Sequence, residues 1–189
     1  MTCIVGIVHK QTVYIGGDSA GVDSSFNKVL RADRKVFVNG PFIMGFTSSF
    51  RMGQLLQYGL KPPVKPKLMD DMKFMVTRFM DGVRDCFKNH GFGYITEGED
   101  NEGGDFLVGF NGKLYQVEGN FQVGEALWPY ASVGCGANYA LGALYATDGM
   151  EPDARIRRAL EAASVFSAGV APPFYVLKQS LPLSKKTKK

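Results

Sequence analysis

The sequence predicts an α+β fold: two antiparallel sheets packed face to face, with a pair of helices on each outer face, a four-layer αββα sandwich. Two observations carry this. Strand-like segments arrive in hairpin runs and helix-like segments arrive in pairs, in the order strands, two helices, strands, two helices, strand. Asn-Gly separates apolar runs at Asn39-Gly40 and again at Asn111-Gly112, and that dipeptide favours the tight turn of a hairpin. The βαβ alternation of a parallel sheet is not present.

The chain opens on β-rich residues 2–8 and 12–17, separated by polar His9-Lys10-Gln11. Their apolar content is nearly continuous, so at least one strand is expected to be covered on both faces. Residues 19–34 are polar and read as turns. Strands follow at Lys35–Val38 and Phe42–Phe46. A serine-capped helix is expected from Thr47-Ser48-Ser49 to about Tyr58. Prolines 62, 63 and 66 exclude a helix interior over 61–67. A long helix is expected over 69–89, where Met69, Met72, Val76, Phe79, Met80, Val83 and Phe87 form one apolar stripe. Methionines in that stripe are read as core packing rather than a ligand surface. His90-Gly91 is the expected stop, and acidic, glycine-rich 92–104 an exposed loop. A second hairpin (106–110 with 114–117), strands at 121–123 and 130–133, helices over 138–146 and from Pro152, and a strand at 174–177 complete the order.

The 189 residues suit one domain, expected over 1–180, followed by a basic, frayed tail over 181–189. With 45% hydrophobic and 12% aromatic residues the chain has enough apolar material for a sizeable core. The formal charge is +4, yet Lys178, Lys185, Lys186, Lys188 and Lys189 supply it near the C-terminus. The remainder is close to neutral, which argues against a nucleic-acid face. Cys3, Cys86 and Cys135 lack metal-site spacing and read as reduced thiols of a cytoplasmic protein. The apolar start is broken by Gly6, His9 and Lys10, so neither a signal peptide nor a membrane span is expected.

Histidine-based catalysis finds little support. His9 and His90 are the only histidines, and no G-x-S-x-G elbow, Walker A motif or G-x-G-x-x-G helix opening occurs. Attention falls on Thr2. Its small side chain favours removal of Met1, which would leave a threonine carrying a free α-amine. That amine, with a reference pKa of about 7.7–8.0, lies within reach of the hydroxyl as its own general base. A nearby lysine would lower the amine further, and an aspartate would hold the lysine. Asp18, closing the second strand, and Lys35, opening the third, supply those types on strands expected to be neighbours. Taken singly, Asp18 reads as a turn residue and Lys35 as a solvated strand-edge lysine.

Three stretches together carry a resemblance. Thr2-Cys3-Ile4-Val5-Gly6-Ile7 with Val13-Tyr14-Ile15-Gly16-Gly17-Asp18 resembles the opening of proteasome β subunits and of the bacterial proteasome-like heat-shock protease. So do Lys35-Val36-Phe37 leading to Ile43-Met44-Gly45-Phe46-Thr47-Ser48, and Ser132-Val133-Gly134-Cys135-Gly136-Ala137-Asn138-Tyr139-Ala140. The similarity runs in order from residue 2 to about 177. It implies the N-terminal-nucleophile hydrolase fold, with Thr2 as nucleophile, Asp18 and Lys35 as its partners and the Ser48 N–H as oxyanion donor. One extra residue precedes Lys35, so Lys28 and Arg34 stay open for the lysine. Phe46 is implied in the substrate pocket, and Cys135 and Ser167 beside the amine. The family usually has glycine at Ser48, serine at Cys135, and in proteasome β subunits an aspartate where Phe166 stands. The resemblance further implies stacked homo-oligomeric rings, a peptide or unfolded-protein substrate and an ATPase unfoldase partner, with no metal or cofactor. The alternatives are a catalytically silent ring subunit that retains Met1, a small-molecule amidase on the same fold, and Cys3 as nucleophile.

Overall fold

The computed structural model describes residues 1–92 and 103–181, together with the backbone of 94–96 and 99–101. Strands β1 (Ile4–His9), β2 (Thr12–Gly17), β3 (Ala20–Val22), β4 (Lys28–Leu30), β5 (Val36–Asn39) and β6 (Phe42–Phe46) come first. Helix α1 starts at Phe50–Gln54 and runs on as a π-helical turn, Leu55–Gly59. Helix α2 comprises Asp71–Phe74, a π-helical turn Met75–Phe79, and Met80–Asn89. Then follow β7 (Tyr94–Thr96), β8 (Glu99–Asn101), β9 (Phe106–Phe110), β10 (Lys113–Val117), β11 (Val123–Glu125), β12 (Tyr130–Val133), helices α3 (Ala137–Ala146) and α4 (Pro152–Phe166), and β13 (Tyr175–Ser180). One antiparallel sheet has the order β12-β1-β2-β13 and the other β11-β10-β9-β6-β5.

Strand alternation divides the apolar residues cleanly. Cys3, Val5 and Ile7 pack with Ala140 and Leu144 of α3 and with Ile156 and Leu160 of α4. Ile4, on the opposite face of β1, joins Val13, Ile15, Val36, Ile43, Leu107 and Leu114, residues drawn from both sheets. Phe42, Met44, Phe106 and Val108 point the other way, toward Leu56, Phe74, Phe79 and Val83 of α1 and α2. A period of two along strands buried on both faces produces this division. The sheets approach closely because glycines stand at the contact. A methyl group on Gly109 would sit 2.4 Å from Ile43 Cγ2 and 2.6 Å from Val13 Cγ1.

The caps behave as the composition requires. Ser49 Oγ accepts the Met52 N–H at 3.3 Å, and Asp70 Oδ1 accepts the Lys73 N–H at 3.0 Å. The Asn39 amide donates to the Leu56 and Leu60 carbonyls at the π-helical end of α1, at 2.9 and 3.0 Å. Pro152 opens α4 at its first turn, where no N–H partner is lost.

Several elements differ from the sequence expectation. Residues 19–34 contain the short β3–β4 hairpin, whose polar composition hides its strands. His9 is paired within β1, and only Lys10 and Gln11 form the turn, both at positive φ without the usual glycine. At the β5–β6 hairpin Asn39 pairs with Phe42, so Gly40-Pro41 turns the chain rather than Asn39-Gly40. Within the loop expected at 92–104, β7 pairs with β8. Phe121 lies in a turn at positive φ, so β11 begins at Val123. The last strand is Tyr175–Ser180 rather than 174–177. The tail expected over 181–189 lies outside the described residues apart from Leu181. Among the described residues no helix is long and apolar enough to cross a membrane.

Gly109→Ala is expected to cost about 1–3 kcal/mol of stability through overpacking between the sheets. Urea unfolding measures it, and a neutral result would mean that the sheets separate freely at this point.

Candidate active site

β1 delivers its leading residue to the edge of the space between the sheets. Thr2, immediately before the strand, is 4% exposed. Asp18 follows β2 and Lys35 precedes β5, and both are 1% exposed. Because β2 and β5 belong to different sheets, the Asp18–Lys35 pair spans the two sheets. This corrects the expectation of neighbouring strands. Gly17, just before Asp18, lets Ile4 and Val36 pack close, since a methyl group there would fall 2.8 Å from Ile4 Cδ1 and 3.1 Å from Val36 Cγ1.

Lys35 Nζ donates to Asp18 Oδ1 at 2.8 Å and to Thr2 Oγ1 at 2.9 Å. Asp18 is held by three backbone donors besides. Its Oδ1 accepts the Cys3 N–H at 3.0 Å, and its Oδ2 accepts those of Ala20 at 2.8 Å and Ala171 at 3.3 Å. Both carboxylate oxygens are thus hydrogen-bonded in a buried place. Burial pushes the Lys35 ammonium down from its ordinary value, opposed by the charge and hydrogen bond of Asp18. The two alternative cations stand elsewhere. Lys28 is exposed in β4, and the Arg34 guanidinium lies over the Tyr175 ring at 4.5 Å.

On the other side of Thr2, its N–H donates to Cys135 Sγ at 3.3 Å, and its carbonyl accepts the Gly136 N–H at 3.3 Å. Cys135 Sγ also meets Ser167 Oγ at 3.3 Å. The geometry therefore brings Thr2, Asp18, Lys35, Cys135 and Ser167 together. Gly134 is needed beside them: it has φ +99°, and a methyl group would fall 2.3 Å from the Thr2 carbonyl oxygen. The Thr2 hydroxyl donates to the Met1 carbonyl at 2.5 Å, and the Met1 side chain rests against Gly169. Phe166 does not reach this group. It stacks on Tyr139 at 5.4 Å on the exposed side of α3 and α4.

Ser48 lies after β6 at φ +62°, a left-handed conformation that glycine adopts without strain. Its hydroxyl accepts the Asp105 N–H at 3.3 Å and meets Thr47 Oγ1 at 3.0 Å, local bonds that favour the conformation. Buried Thr47 was not anticipated from sequence. It donates through N–H and hydroxyl to the Asp105 carbonyl, each at 3.0 Å, and thereby pins Ser48 in place. Phe46 is 5% exposed and packs edge-on to Phe50. Cys3 is fully buried toward α3 and α4, which argues against a nucleophilic part for it, and burial pushes its thiol up to about 12. Among the described residues no cluster of His, Cys, Asp and Glu fits a metal ion.

Thr2 at the head of β1, beside a buried lysine–aspartate pair, is carried on a fold that solved proteasome-like structures share. The chain shares this fold with Thiobacillus denitrificans BPH in complex with epoxomicin, at TM-score 0.79 and 18% identity over 96% of this chain and 100% of that one. It shares it also with eukaryotic HslV from Trypanosoma brucei, at TM-score 0.66 and 15% identity over 94% and 98%. Anbu, an ancestral beta-subunit from Yersinia bercovieri, is similar at TM-score 0.64 and 14% identity over 94% and 81%. No protein-family model and no curated protein matches the sequence.

Asp18→Asn leaves the Lys35 ammonium buried without its counter-charge. It is expected to destabilise the protein by about 3–5 kcal/mol, read by urea unfolding. The Cys3 thiol sets a pH dependence of known sign. Its folded pKa lies above the ordinary 9.0, so its contribution is complete below pH 9 and falls as pH rises toward about 12. The stability difference between wild type and Cys3→Ala should be flat below that window and move against wild type within it. A difference independent of pH would contradict the burial of a neutral thiol.

Proposed function

We propose that the chain is a threonine-type peptidase subunit of a self-compartmentalised, proteasome-like ring protease. In this reading residues 1–180 form one αββα four-layer domain, and Thr2 is the nucleophile once Met1 is removed. The observation that carries the proposal is the buried Lys35 ammonium, which touches the Thr2 hydroxyl and the Asp18 carboxylate at once. The fold shared with BPH, HslV and Anbu supports it.

With Met1 in place, the Thr2 nitrogen is an amide and has no basic lone pair. Removal of Met1 turns it into an amine beside Cys135 and Ser167. That amine takes the hydroxyl proton, directly or through a water, while Lys35 stabilises the developing negative charge on Oγ1. Oγ1 attacks the substrate carbonyl. The Ser48 N–H, which has no acceptor among the described residues, receives the oxyanion. The protonated amine then gives its proton to the leaving amine; in the second half water, losing a proton to the free amine, attacks the acyl-threonine ester, the C–Oγ1 bond breaks, and the amine returns the proton to Oγ1. Asp18 fixes Lys35, and Cys135 with Ser167 orients the new amine. Peptides or unfolded proteins are the substrates, stacked homo-oligomeric rings the assembly, an ATPase unfoldase the feeding partner and the cytoplasm the setting.

One observation favours a second reading, a catalytically silent ring subunit. The Met1 side chain is seated on Gly169 and its carbonyl accepts the Thr2 hydroxyl, a packed arrangement for a retained methionine. Intact mass and peptide cleavage on the same preparation separate the two. Active protein is expected to lack Met1, and Thr2→Ala to lose cleavage by about a thousandfold or more. Epoxomicin, bound in the BPH structure, is expected to stop the cleavage. Cleavage by protein that retains Met1, or by Thr2→Ala, would sink the mechanism.

A further inference from the structure

The turn that carries Ser48 is strained, and two hydroxyls hold it shut. The Ser49 N–H donates to the Thr47 carbonyl at 2.7 Å, which makes a three-residue γ-turn with Ser48 at its centre. At φ +62° Ser48 takes the form of that turn that is rare and strained for a residue with a side chain. The strain has a direction. The peptide between Thr47 and Ser48 is trans, so its carbonyl and its N–H point opposite ways. With the carbonyl turned in toward Ser49, the Ser48 N–H is turned out, on a residue that is itself exposed.

The Thr47 hydroxyl donates to the Asp105 carbonyl at 3.0 Å, and the Asp105 N–H donates to Ser48 Oγ at 3.3 Å. A hydroxyl has one proton, and that of Thr47 is thereby used. In the 3.0 Å contact between the two hydroxyls Ser48 must therefore be the donor. The bonds close a ring that runs from the Asp105 N–H to Ser48, from Ser48 to Thr47, and from Thr47 to the Asp105 carbonyl. Each hydroxyl in it donates once and accepts once, and bonds so linked polarise one another. Asp105 is itself anchored. Its Oδ1 accepts the Gly119 N–H at 3.2 Å, and the Gly103 N–H donates to the Gly119 carbonyl at 2.9 Å. Gly104 makes room for the serine, since a methyl group there would fall 2.6 Å from Ser48 Cβ and 2.8 Å from Ser48 Oγ. The ring also stands beside Thr2. A methyl group on Gly134 would fall 2.3 Å from the Thr2 carbonyl oxygen and 3.1 Å from Thr47 Cγ2.

We propose that the Thr47 and Ser48 hydroxyls, anchored on Asp105, form a latch that keeps the Ser48 N–H aimed as the oxyanion donor. This rests on the reading in which Thr2 is the nucleophile. Thr47 is a positioning residue in this scheme and touches no substrate. Glycine at 48 would relieve the strain but has no hydroxyl with which to close the ring. A donor fixed in advance stabilises the transition state without having to be ordered during the reaction. The latch therefore acts on kcat and leaves ground-state binding alone.

Thr47→Val removes one hydroxyl at nearly unchanged shape. It should lower kcat by about tenfold or more at constant KM, short of the roughly 100–1,000-fold cost of deleting an oxyanion donor. Ser48→Ala, at an exposed position, should act alike, and Thr47→Ser, which keeps the hydroxyl, should recover most of the loss. A peptide aldehyde, whose hemiacetal oxygen occupies the oxyanion position, should bind Thr47→Val more weakly in proportion to kcat. The uncleaved peptide should bind Thr2→Ala equally with and without Thr47→Val. Amide hydrogen exchange reads the latch without any cleavage. The Thr47, Ser49 and Asp105 amides should exchange about tenfold faster in Thr47→Val and Ser48→Ala, and those of Ile43 and Val108 at the wild-type rate. An unchanged kcat in Thr47→Val, or a loss expressed in KM, overturns this proposal and leaves the Thr2 mechanism standing. If wild type cleaves no peptide, the peptidase reading falls and takes the catalytic part of the latch with it. Unchanged exchange in both variants overturns the latch itself, whatever the activity.

Discussion

The contact between the Lys35 ammonium and the Asp18 carboxylate is the constraint around which the rest is arranged. Two charges removed from water are costly unless their remaining lone pairs and protons find partners. Here they do. Asp18 receives donors from Cys3 at the start of β1, from Ala20 and from Ala171 beyond α4. Three separate segments of chain are thereby tied to one carboxylate, and Lys35 adds a fourth from the other sheet. The pair fastens the sheets together at the end where Thr2 emerges, while apolar contacts such as Ile4 with Val36 and Ile43 hold them elsewhere.

The glycines explain why so much converges in a small volume. Gly17 admits Ile4 and Val36, Gly134 admits the Thr2 carbonyl, and Gly169 admits Met1. At none of them is there room for a side chain. The polar groups consequently sit at hydrogen-bonding distance without the backbones being pushed apart, and a site of this kind depends on tight support from rigid elements.

Much of the fold was legible because hydrophobic period and turn chemistry agree along the chain. Phe106–Phe110 and Lys113–Val117 flank Asn111-Gly112, both at positive φ, and pair in the register that the dipeptide implies. The β3–β4 hairpin was illegible for the converse reason: Lys28, Val29 and Leu30 are exposed, so no burial pattern marks them as a strand. The turn at Gly40-Pro41 shows a competing principle, since proline after Asn-Gly shifts the pair of residues that turn. At the site, Thr2, Asp18 and Lys35 were readable as residue types, but their meeting across two sheets is a tertiary fact. Thr47 and Ala171 carry no signal in sequence. The first serves through its hydroxyl and both through their backbone N–H, and a backbone donor is the same in every residue except proline.

The seat of Met1 has a bearing on timing. Met1 is 41% exposed, whereas Thr2 is 4% exposed and lies beneath it, with its carbonyl, hydroxyl and N–H all engaged by the fold. An aminopeptidase has to grip the residue on both sides of the bond that it cuts, and that grip is denied once β1 is docked between β12 and β2. In the proposed reading, trimming would thus be confined to the interval in which the nascent N-terminus has left the ribosome but the first strand has not yet paired. The ratio of trimmed to untrimmed chains would then be a record of how folding competed with processing, fixed for each molecule during its synthesis.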